Sequence, residues 1–435
     1  MRRAFGDPFS YRKPAVGLVT LCTLAILLLL VQCTGTVSPP ASATPTLAAT
    51  KTMAAPTPQP TESSIVLTLW LPPQFDPSAK TPAAQALSDR LKAFTDANPN
   101  VKIDVRIKAI SGTSGLLETL TAASQAAPSS MPSLIALTRS QLEEAAAQDL
   151  ILPLDGLTTA MSDKDWYSYA QQLAALDDHL YGLPLAGDSL VFMQRSILNA
   201  SMQDTWSALL DANQPILFAA TDPQAAVTLA FYQSLGEPWT ENNSHPALQA
   251  DTLTKVLELY ASGSANGTFP SWISNYKTDA QAWRSFQQGR GDRVITWFST
   301  GSTDALAGNL SMHLIPSLGQ GSATLADGWV LCLAEPKLER RAASIRLAEF
   351  LTSSESLAAW GPVSGYLPTR PSTLSAWPAN SQALIKVIAL SAIVPPSGLT
   401  DTTRRALEQA ASQVIMGQSS PQQAVEAVSN LLSNP

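Results

Sequence analysis

The hydrophobic and polar positions are most regular between residues 65 and 110. The stretch "SIVLTLWLPP" is a short apolar run that ends at two prolines. In the following "AAQALSDRLKAFTDANPN", Leu87, Leu91 and Phe94 fall on one helical face, and in "VKIDVRIKA" apolar residues alternate with charged ones. A strand, a helix and a strand at this spacing predict a βαβ unit in a mostly parallel sheet covered by helices.

The same change of period continues along the rest of the chain. Beyond a long extended passage, "LYGLPLAGDSLVFMQ", the runs "PILFAA" and "RVITWFS" predict further strands. Ser420 and Pro421 are typical of a helix start and open the last helix, "PQQAVEAVSNLL". The folded part is therefore predicted to be α/β throughout.

The amino-terminal segment has a different character. A basic stretch precedes a run that is apolar from Ala15 to Val31, which predicts a signal peptide or an anchor in residues 1–32. Residues 33–64 consist mainly of Pro, Thr, Ser and Ala, and we expect them to form a disordered stalk. Cys33 resembles the lipid-modified cysteine of a bacterial lipoprotein. A transmembrane anchor and a cleaved, secreted chain are the alternatives.

Charge and size narrow the class of protein. The chain has 435 residues, 45% of them apolar, and a formal net charge of −7. Residues 1–32 carry four basic residues and one acidic residue, so the remainder carries −10. An acidic body of this length can form two lobes, and its charge argues against nucleic acid as a partner.

Sequence signatures of catalysis are absent. The chain contains no G-x-S-x-G, no P-loop and no H-E-x-x-H, and its three histidines lack the spacing of metal ligands. We therefore expect no enzyme activity, no metal and no cofactor.

The tryptophans suggest a binding site. Among ten tryptophans, Trp70, Trp297 and Trp329 each lie on or just after a predicted strand, beside small or polar residues. Ligands of α/β proteins collect at strand ends, and indole rings stack on the apolar faces of sugars. The alternative is that each ring belongs to the core.

Several motifs together resemble the extracellular solute-binding proteins of ABC importers, in the sugar-binding group of the maltose-binding protein family. They occur in the same order from about Ile65 to Leu432 and include "AFTDANPNVKIDVRI", "LYGLPLAGDSLVFMQRSIL", "GDRVITWFSTG" and "DGWVLCLAEPKLERRAASIRLAEFLTSSE". The resemblance implies a periplasmic-binding-protein-like fold, in which hinge strands join two α/β lobes around a ligand cleft. It implies a first lobe of 65–184 and about 316–365, and a second lobe of 185–315 and about 366–435.

The resemblance also implies which residues bind the ligand. The expected residues are Trp70, Gln74 and Asp76 from the first lobe, Asp188 at the hinge, Trp297 from the second lobe, and Trp329 beside the ligand. Thr402 and Thr403 stand where maltose-binding protein has a stacking tryptophan. This departure favours a sugar that is smaller than, or different from, a long maltodextrin.

The expected function is capture of a small solute, a sugar or oligosaccharide, for delivery to an ABC transporter permease. The protein would be a monomer, lipid-anchored through Cys33 at the extracellular face of the bacterial cytoplasmic membrane. Two alternatives stay open. A degenerate or sensory lipoprotein would keep the fold without transport, and a surface glycan-active enzyme would need a carboxylate pair, for which Asp76 and Asp188 are the candidates.

Overall fold

A computed structural model describes residues 64–196, 205–236, 240–242, 245–319 and 324–433. The predicted signal or anchor, nearly all of the predicted stalk, and Cys33 lie outside the described residues. Within the described ranges, no helix combines the length and the apolar character that crossing a membrane requires.

Strands and helices alternate as the sequence predicted. The strands are β1 (Ile65–Leu71), β2 (Val101–Ile107), β3 (Leu134–Thr138), β4 (Ala175–Leu176), β5 (His179–Leu180), β6 (Gly182–Arg195), β7 (Ile216–Leu217), β8 (Thr240–Asn242), β9 (His245–Ala247), β10 (Arg293–Trp297), β11 (Leu310–His313), β12 (Thr324–Leu333) and β13 (Ala392–Ile393). The helices are α1 (Pro82–Ala97), α2 (Leu116–Ala126), α3 (Arg139–Ala147), α4 (Ser168–Ala174), α5 (Trp206–Asp211), α6 (Ala226–Ser234), α7 (Ala250–Asn266), α8 (Asp279–Gln287), α9 (Phe298–Leu306), α10 (Leu338–Leu351), α11 (Ser354–Ser364), α12 (Gln382–Ser391), α13 (Asp401–Ile415) and α14 (Pro421–Ser433).

Threonine side chains set the starts of several helices. Thr81, Thr278 and Thr400 each precede a helix, and each side chain accepts a hydrogen bond from the backbone N–H three residues later. These bonds satisfy N–H groups that have no partner inside the helix. The helix starts are thus fixed by local sequence.

The main sheet is mixed rather than mostly parallel. Its strand order is β2-β1-β3-β12-β6-β10-β7, with β11 on β6 and β13 on β12. The strands β1, β2 and β3 are parallel, as the βαβ pattern predicted. In contrast, β12 is antiparallel to both β3 and β6, and β10 is antiparallel to β6. The sheet is mixed because β6 and β12, its two long central strands, run in opposite directions.

Two hydrophobic clusters flank the central strands. The first contains side chains of β1, β3, α1 and α10, together with one face of β6 and β10, such as Met193 and Val294. The second contains the opposite face, such as Phe192 and Ile295, packed under α6, α7 and α13. Strand β6 has 14 residues and contributes to both clusters.

The carboxyl-terminal packing bears on the predicted lobe boundaries. Leu367, Trp377 and the apolar face of α12 lie in the first cluster, whereas Leu399 and residues of α13 and α14 lie in the second. We predicted that the second lobe resumes at about residue 366. The lobe ranges stay a prediction, and this packing favours a boundary close to residue 399.

A glycine in β6 tests the packing of the central strands. A Cβ atom added at Gly187 would overlap the Tyr169 hydroxyl, which donates to the Pro368 carbonyl at 2.8 Å. We expect Gly187→Ala to lower the free energy of unfolding by about 1–3 kcal/mol, because the buried tyrosine must move. Urea denaturation measures this change.

The matched control is Gly361→Ala in α11, where an added Cβ atom has no neighbour within 4 Å. Its stability should be unchanged or slightly raised. Equal stability of the Gly187→Ala variant and the wild type would contradict the close approach of Tyr169 to β6.

Candidate functional site

A cavity of about 590 Å³ lies where strands β6, β10 and β12 meet the first turns of several helices. This volume is within the usual range of small-molecule sites. The first residues of α3, α6 and α8 line it, as does Ser299 in the first turn of α9. The cavity therefore lies among strand ends and helix amino termini, whose backbone N–H groups donate to the carboxylates of Asp188, Asp222 and Asp327.

The register of the sheet brings the central lining residues together. In the pairing of β6 with β12, Asp188 is opposite Asp327. In the pairing of β6 with β10, Leu190 is opposite Trp297. All four residues line the cavity, so the central strands form part of its wall.

Three aromatic residues line the cavity: Trp297, Trp329 and Tyr366. They differ in how tightly their rings are packed against neighbouring side chains. Phe75 packs edge-on against Trp329, with ring centroids 5.6 Å apart, and against Tyr366 at 5.3 Å. Trp329 is only 6% exposed. Trp297 is partly exposed and packs against the edge of the second cluster. Of the two tryptophans, Trp297 thus offers more ring surface to a ligand.

Asp188 is a buried carboxylate with several donors. Its Oδ1 accepts from the backbone N–H groups of Ser189 at 2.9 Å and Ser299 at 3.0 Å, and its Oδ2 accepts from the Ser299 hydroxyl. Burial raises the pKa of Asp188 to about 7, although the hydrogen bonds from Ser299 and Ser189 favour the charged form. The nearby charge of Asp327 raises this pKa further.

Asp327 is partly buried opposite Asp188. Its Oδ1 accepts from the backbone N–H groups of Gly328 at 2.8 Å and Arg139 at 3.5 Å. Burial raises the pKa of Asp327, and the positive charges of Arg404 and Arg139 act in the opposite direction. Two acidic side chains therefore meet on one face of the sheet inside the cavity.

Asp279 holds two structural elements together at the cavity wall. Its Oδ1 accepts from the Thr296 hydroxyl at 2.8 Å, and its Oδ2 accepts from the Thr300 hydroxyl at 2.7 Å. These bonds join the end of β10 to the first turn of α9. Burial raises the pKa of Asp279 despite these donors.

Asp222 has a similar role at the start of α6. Its carboxylate accepts from the backbone N–H groups of Gln224 at 3.0 Å and Ala226 at 3.2 Å. Burial raises the pKa of Asp222 as well. Asp222 and Asp279 fix the positions of the helices that surround the ligand space.

The cationic side chains of the lining already have partners or are exposed. Arg139 donates to Glu143 at 2.6 Å and to the Gln172 carbonyl at 2.9 Å, and it also bonds the Ala175 carbonyl at the end of α4. Arg404 donates to the Gln224 carbonyl at 3.4 Å. Lys277 is exposed. The acidic groups thus dominate the inner part of the cavity.

The structure places four of the six predicted ligand-binding residues in the cavity lining: Gln74, Asp188, Trp297 and Trp329. Trp70 and Asp76, which we predicted to face the ligand, do not line it. Trp70 is 2% exposed because it lies within β1 rather than beyond its end, and Lys108 Nζ lies 4.8 Å from its ring centroid. Asp76 binds the backbone N–H and hydroxyl of Ser78 in its own turn.

The sequence interpretation missed several lining residues, chiefly Arg139, Asp222, Asp279, Asp327, Tyr366 and Arg404. A signal existed for Asp327, since it is two residues before Trp329 and strand residues two apart share a face. Asp279 and Asp222 stand at helix starts, where carboxylates are common for capping alone. Their role in the cavity depends on tertiary packing.

Within the described ranges, no group of three His, Cys, Asp or Glu residues is arranged to hold a metal ion.

The raised pKa of Asp188 predicts a pH dependence of stability. The folded protein keeps a proton up to about pH 7 that the unfolded chain releases at about pH 4. Asp188 therefore stabilises the fold fully below about pH 4, and this contribution is lost as the pH rises to about 7. Urea denaturation over this pH range should show a weaker decline in Asp188→Asn than in the wild type. Parallel pH profiles would argue against a raised pKa.

Comparison with solved structures identifies the fold. The maltose-bound MalE3 of T. maritima has a TM-score of 0.69 at 15% identity, covering 85% of this chain and 99% of that chain. The GacH receptor of Streptomyces glaucescens, solved unliganded and with acarbose, gives 0.67 at 17% identity, covering 85% and 99%. A solute-binding protein of Agrobacterium radiobacter K84 in complex with ribitol gives 0.63 at 17% identity, covering 86% and 99%. The predicted periplasmic-binding-protein-like fold class is confirmed.

Sequence comparison gives the family. No curated protein matches the chain significantly. The family described as "Bacterial extracellular solute-binding protein" matches residues 89–386, which is more than half of the chain and includes strands on both sides of the cavity. The chain therefore belongs to the bacterial extracellular solute-binding protein family.

Proposed function

We propose that this protein captures a small polyhydroxylated solute, a sugar or a related polyol, outside the cell and delivers it to an ABC transporter permease. The observation that carries the proposal is the cavity, in which a partly exposed Trp297 lies among carboxylates that are partly or fully buried. An indole face can cover the apolar side of a sugar ring, while carboxylate oxygens accept hydrogen bonds from its hydroxyl groups.

The similar structures support this class of ligand. Those structures contain maltose, acarbose and ribitol, each of which carries many hydroxyl groups. A cavity of about 590 Å³ suits a ligand of this kind better than a long polymer. Thr402 and Thr403 stand where maltose-binding protein has a stacking tryptophan, and this difference also favours a small ligand over a long polymer.

The central strands support a hinged mode of binding. Strands β6 and β12 run through the centre of the main sheet and carry the lining residues Asp188 and Asp327, so a bend in them would change the shape of the cavity. We infer that solute binding closes two lobes around the cavity, and that the permease recognises the closed form.

The proposed location rests on the amino-terminal sequence. The apolar segment, Cys33 and the predicted stalk would hold the binding domain at the extracellular face of the cytoplasmic membrane. Tethering would raise the local concentration of the domain at its permease. The enzyme alternative loses its nominated carboxylate pair, because Asp76 lies outside the cavity that contains Asp188.

Ligand binding is testable by a thermal-shift screen with sugars and polyols, followed by calorimetry. A ligand at 100 times its dissociation constant adds about 2.7 kcal/mol to the stability of the fold. For a ligand so found, Trp297→Ala should weaken binding by about 1–3 kcal/mol, because the ring loses its contact with the solute. The melting temperature of the Trp297→Ala variant without ligand should change little.

The matched control is Trp283→Ala, which removes another partly exposed tryptophan that does not line the cavity. Its affinity for the solute should stay at the wild-type value. Failure of all sugars and polyols to stabilise the folded protein would contradict the proposed function, and equal losses of affinity in both variants would exclude stacking on Trp297.

The membrane anchor is testable by labelling with a radioactive fatty acid in a bacterial host. We expect the wild type to incorporate label and Cys33→Ala to lose it, because the cysteine thiol is the site of attachment. Cys332→Ala is the control, since that cysteine is fully buried in the sheet. Equal labelling of the wild type and Cys33→Ala would favour an anchor formed by residues 15–31.

A further inference from the structure

The register of β6 and β12 creates an unusual pair of acidic side chains. Residues directly opposite each other in antiparallel strands have Cβ atoms about 4.5–5.5 Å apart, and like charges in this position repel. Asp188 and Asp327 occupy such a position, and both line the cavity. Asp188 is buried and Asp327 is partly buried, so water screens this repulsion less than it would at an exposed surface.

Among the described residues, uncharged groups donate the hydrogen bonds to this pair. Asp188 accepts from serine N–H and hydroxyl groups, and Asp327 accepts from backbone N–H groups. In the described part of the chain, the salt bridges of Lys, Arg and His involve other acidic residues. The pair therefore has no direct cationic partner among the described side chains.

The arginine side chains of the lining direct their hydrogen bonds to groups other than this pair. Five acidic residues line the cavity (Glu143, Asp188, Asp222, Asp279 and Asp327), against three basic ones (Arg139, Lys277 and Arg404). The Arg139 side chain is held by Glu143 and by carbonyl groups at the end of α4. The Arg404 side chain bonds a carbonyl group in the loop before α6. Neither arginine side chain contacts the pair directly, although the charges of Arg404 and Arg139 favour the ionised form of Asp327.

A ligand could provide the positive group that no described side chain places in direct contact with Asp188 and Asp327. A neutral hydroxyl group can donate one hydrogen bond to one carboxylate, but it leaves the repulsion between the two in place. A primary ammonium group has three donors and a positive charge, so it can bond both carboxylates and offset their repulsion. Trp329 and Tyr366 line the same cavity, and aromatic faces attract cations.

We propose, building on the solute-binding function above, that the solute is an amine-bearing sugar or polyol whose ammonium group binds between Asp188 and Asp327. The remaining hydroxyl groups of the solute then face the other polar side chains of the cavity, and its ring or chain lies against Trp297. The main competing explanation is that the two carboxyl groups share one proton and bind a neutral solute.

Isothermal titration calorimetry of the full-length protein near neutral pH separates the two explanations. The probes are matched pairs that differ in one amine or hydroxyl group: glucosamine and glucose, galactosamine and galactose, mannosamine and mannose, and glucamine and sorbitol. We expect at least one amine to bind about 10-fold or more tightly than its hydroxyl counterpart, because a hydrogen bond to a charged group contributes about 1.5–3 kcal/mol.

Asp327→Asn removes one charge of the pair and keeps the shape of the side chain. We expect this variant to lose most of the wild-type preference for the amine over its hydroxyl counterpart, because the amide that replaces the carboxylate carries no charge to attract an ammonium group. The matched control is Asp76→Asn, which removes a carboxylate outside the cavity and should keep the preference of the wild type for the amine.

Each outcome bears on a different claim. Neutral sugars that bind as tightly as their amines would overturn the ammonium site and leave the proposed function intact. A preference for the amine that persists in Asp327→Asn would also overturn the ammonium site. No binding of either series by the folded protein would count against the ammonium site and the capture of a small polyhydroxylated solute together.

Discussion

The antiparallel pairing of β6 with β12 is the constraint on which the rest of the structure depends. These strands lie at the centre of the main sheet and contribute to both hydrophobic clusters. Their register sets Asp188 against Asp327 and Gly187 against Gly328. A slip of one residue would turn each side chain of the slipped strand to the opposite face and remove the acidic pair from the cavity. Fold and site therefore depend on the same set of backbone hydrogen bonds.

Buried carboxylates are costly, and each one in this cavity organises a neighbouring segment. Asp188 and Asp279 both bind the first turn of α9, and Asp222 binds the first turn of α6. These contacts fix helix starts around the ligand space before any ligand arrives. In many proteins, hydrophobic residues can replace buried charged groups without loss of stability. Acidic groups that line a cavity therefore indicate a role in binding rather than in stability alone.

Local periodicity predicted much of the fold but only part of the site. The β1-α1-β2 unit and the long extended passage correspond to observed elements, because alternation and helical faces are properties of neighbouring residues. The pairing of β6 with β12, and the packing of α12 with the first cluster, depend on contacts between distant residues. Trp70 shows the same limit: its position near a strand end was visible in the sequence, but the burial of its ring was not.

The two tryptophans of the cavity illustrate how a rigid wall and an open contact surface can arise from similar sequence signals. Trp329 is fixed by Phe75, which also contacts Tyr366, so these rings form one packed group. Trp297 ends β10 and caps α9, and its ring is only partly covered. Burying exposed apolar surface favours binding, whereas surface that is already buried contributes little more. A solute therefore gains more from covering Trp297, while Trp329 mainly shapes the space that the solute enters.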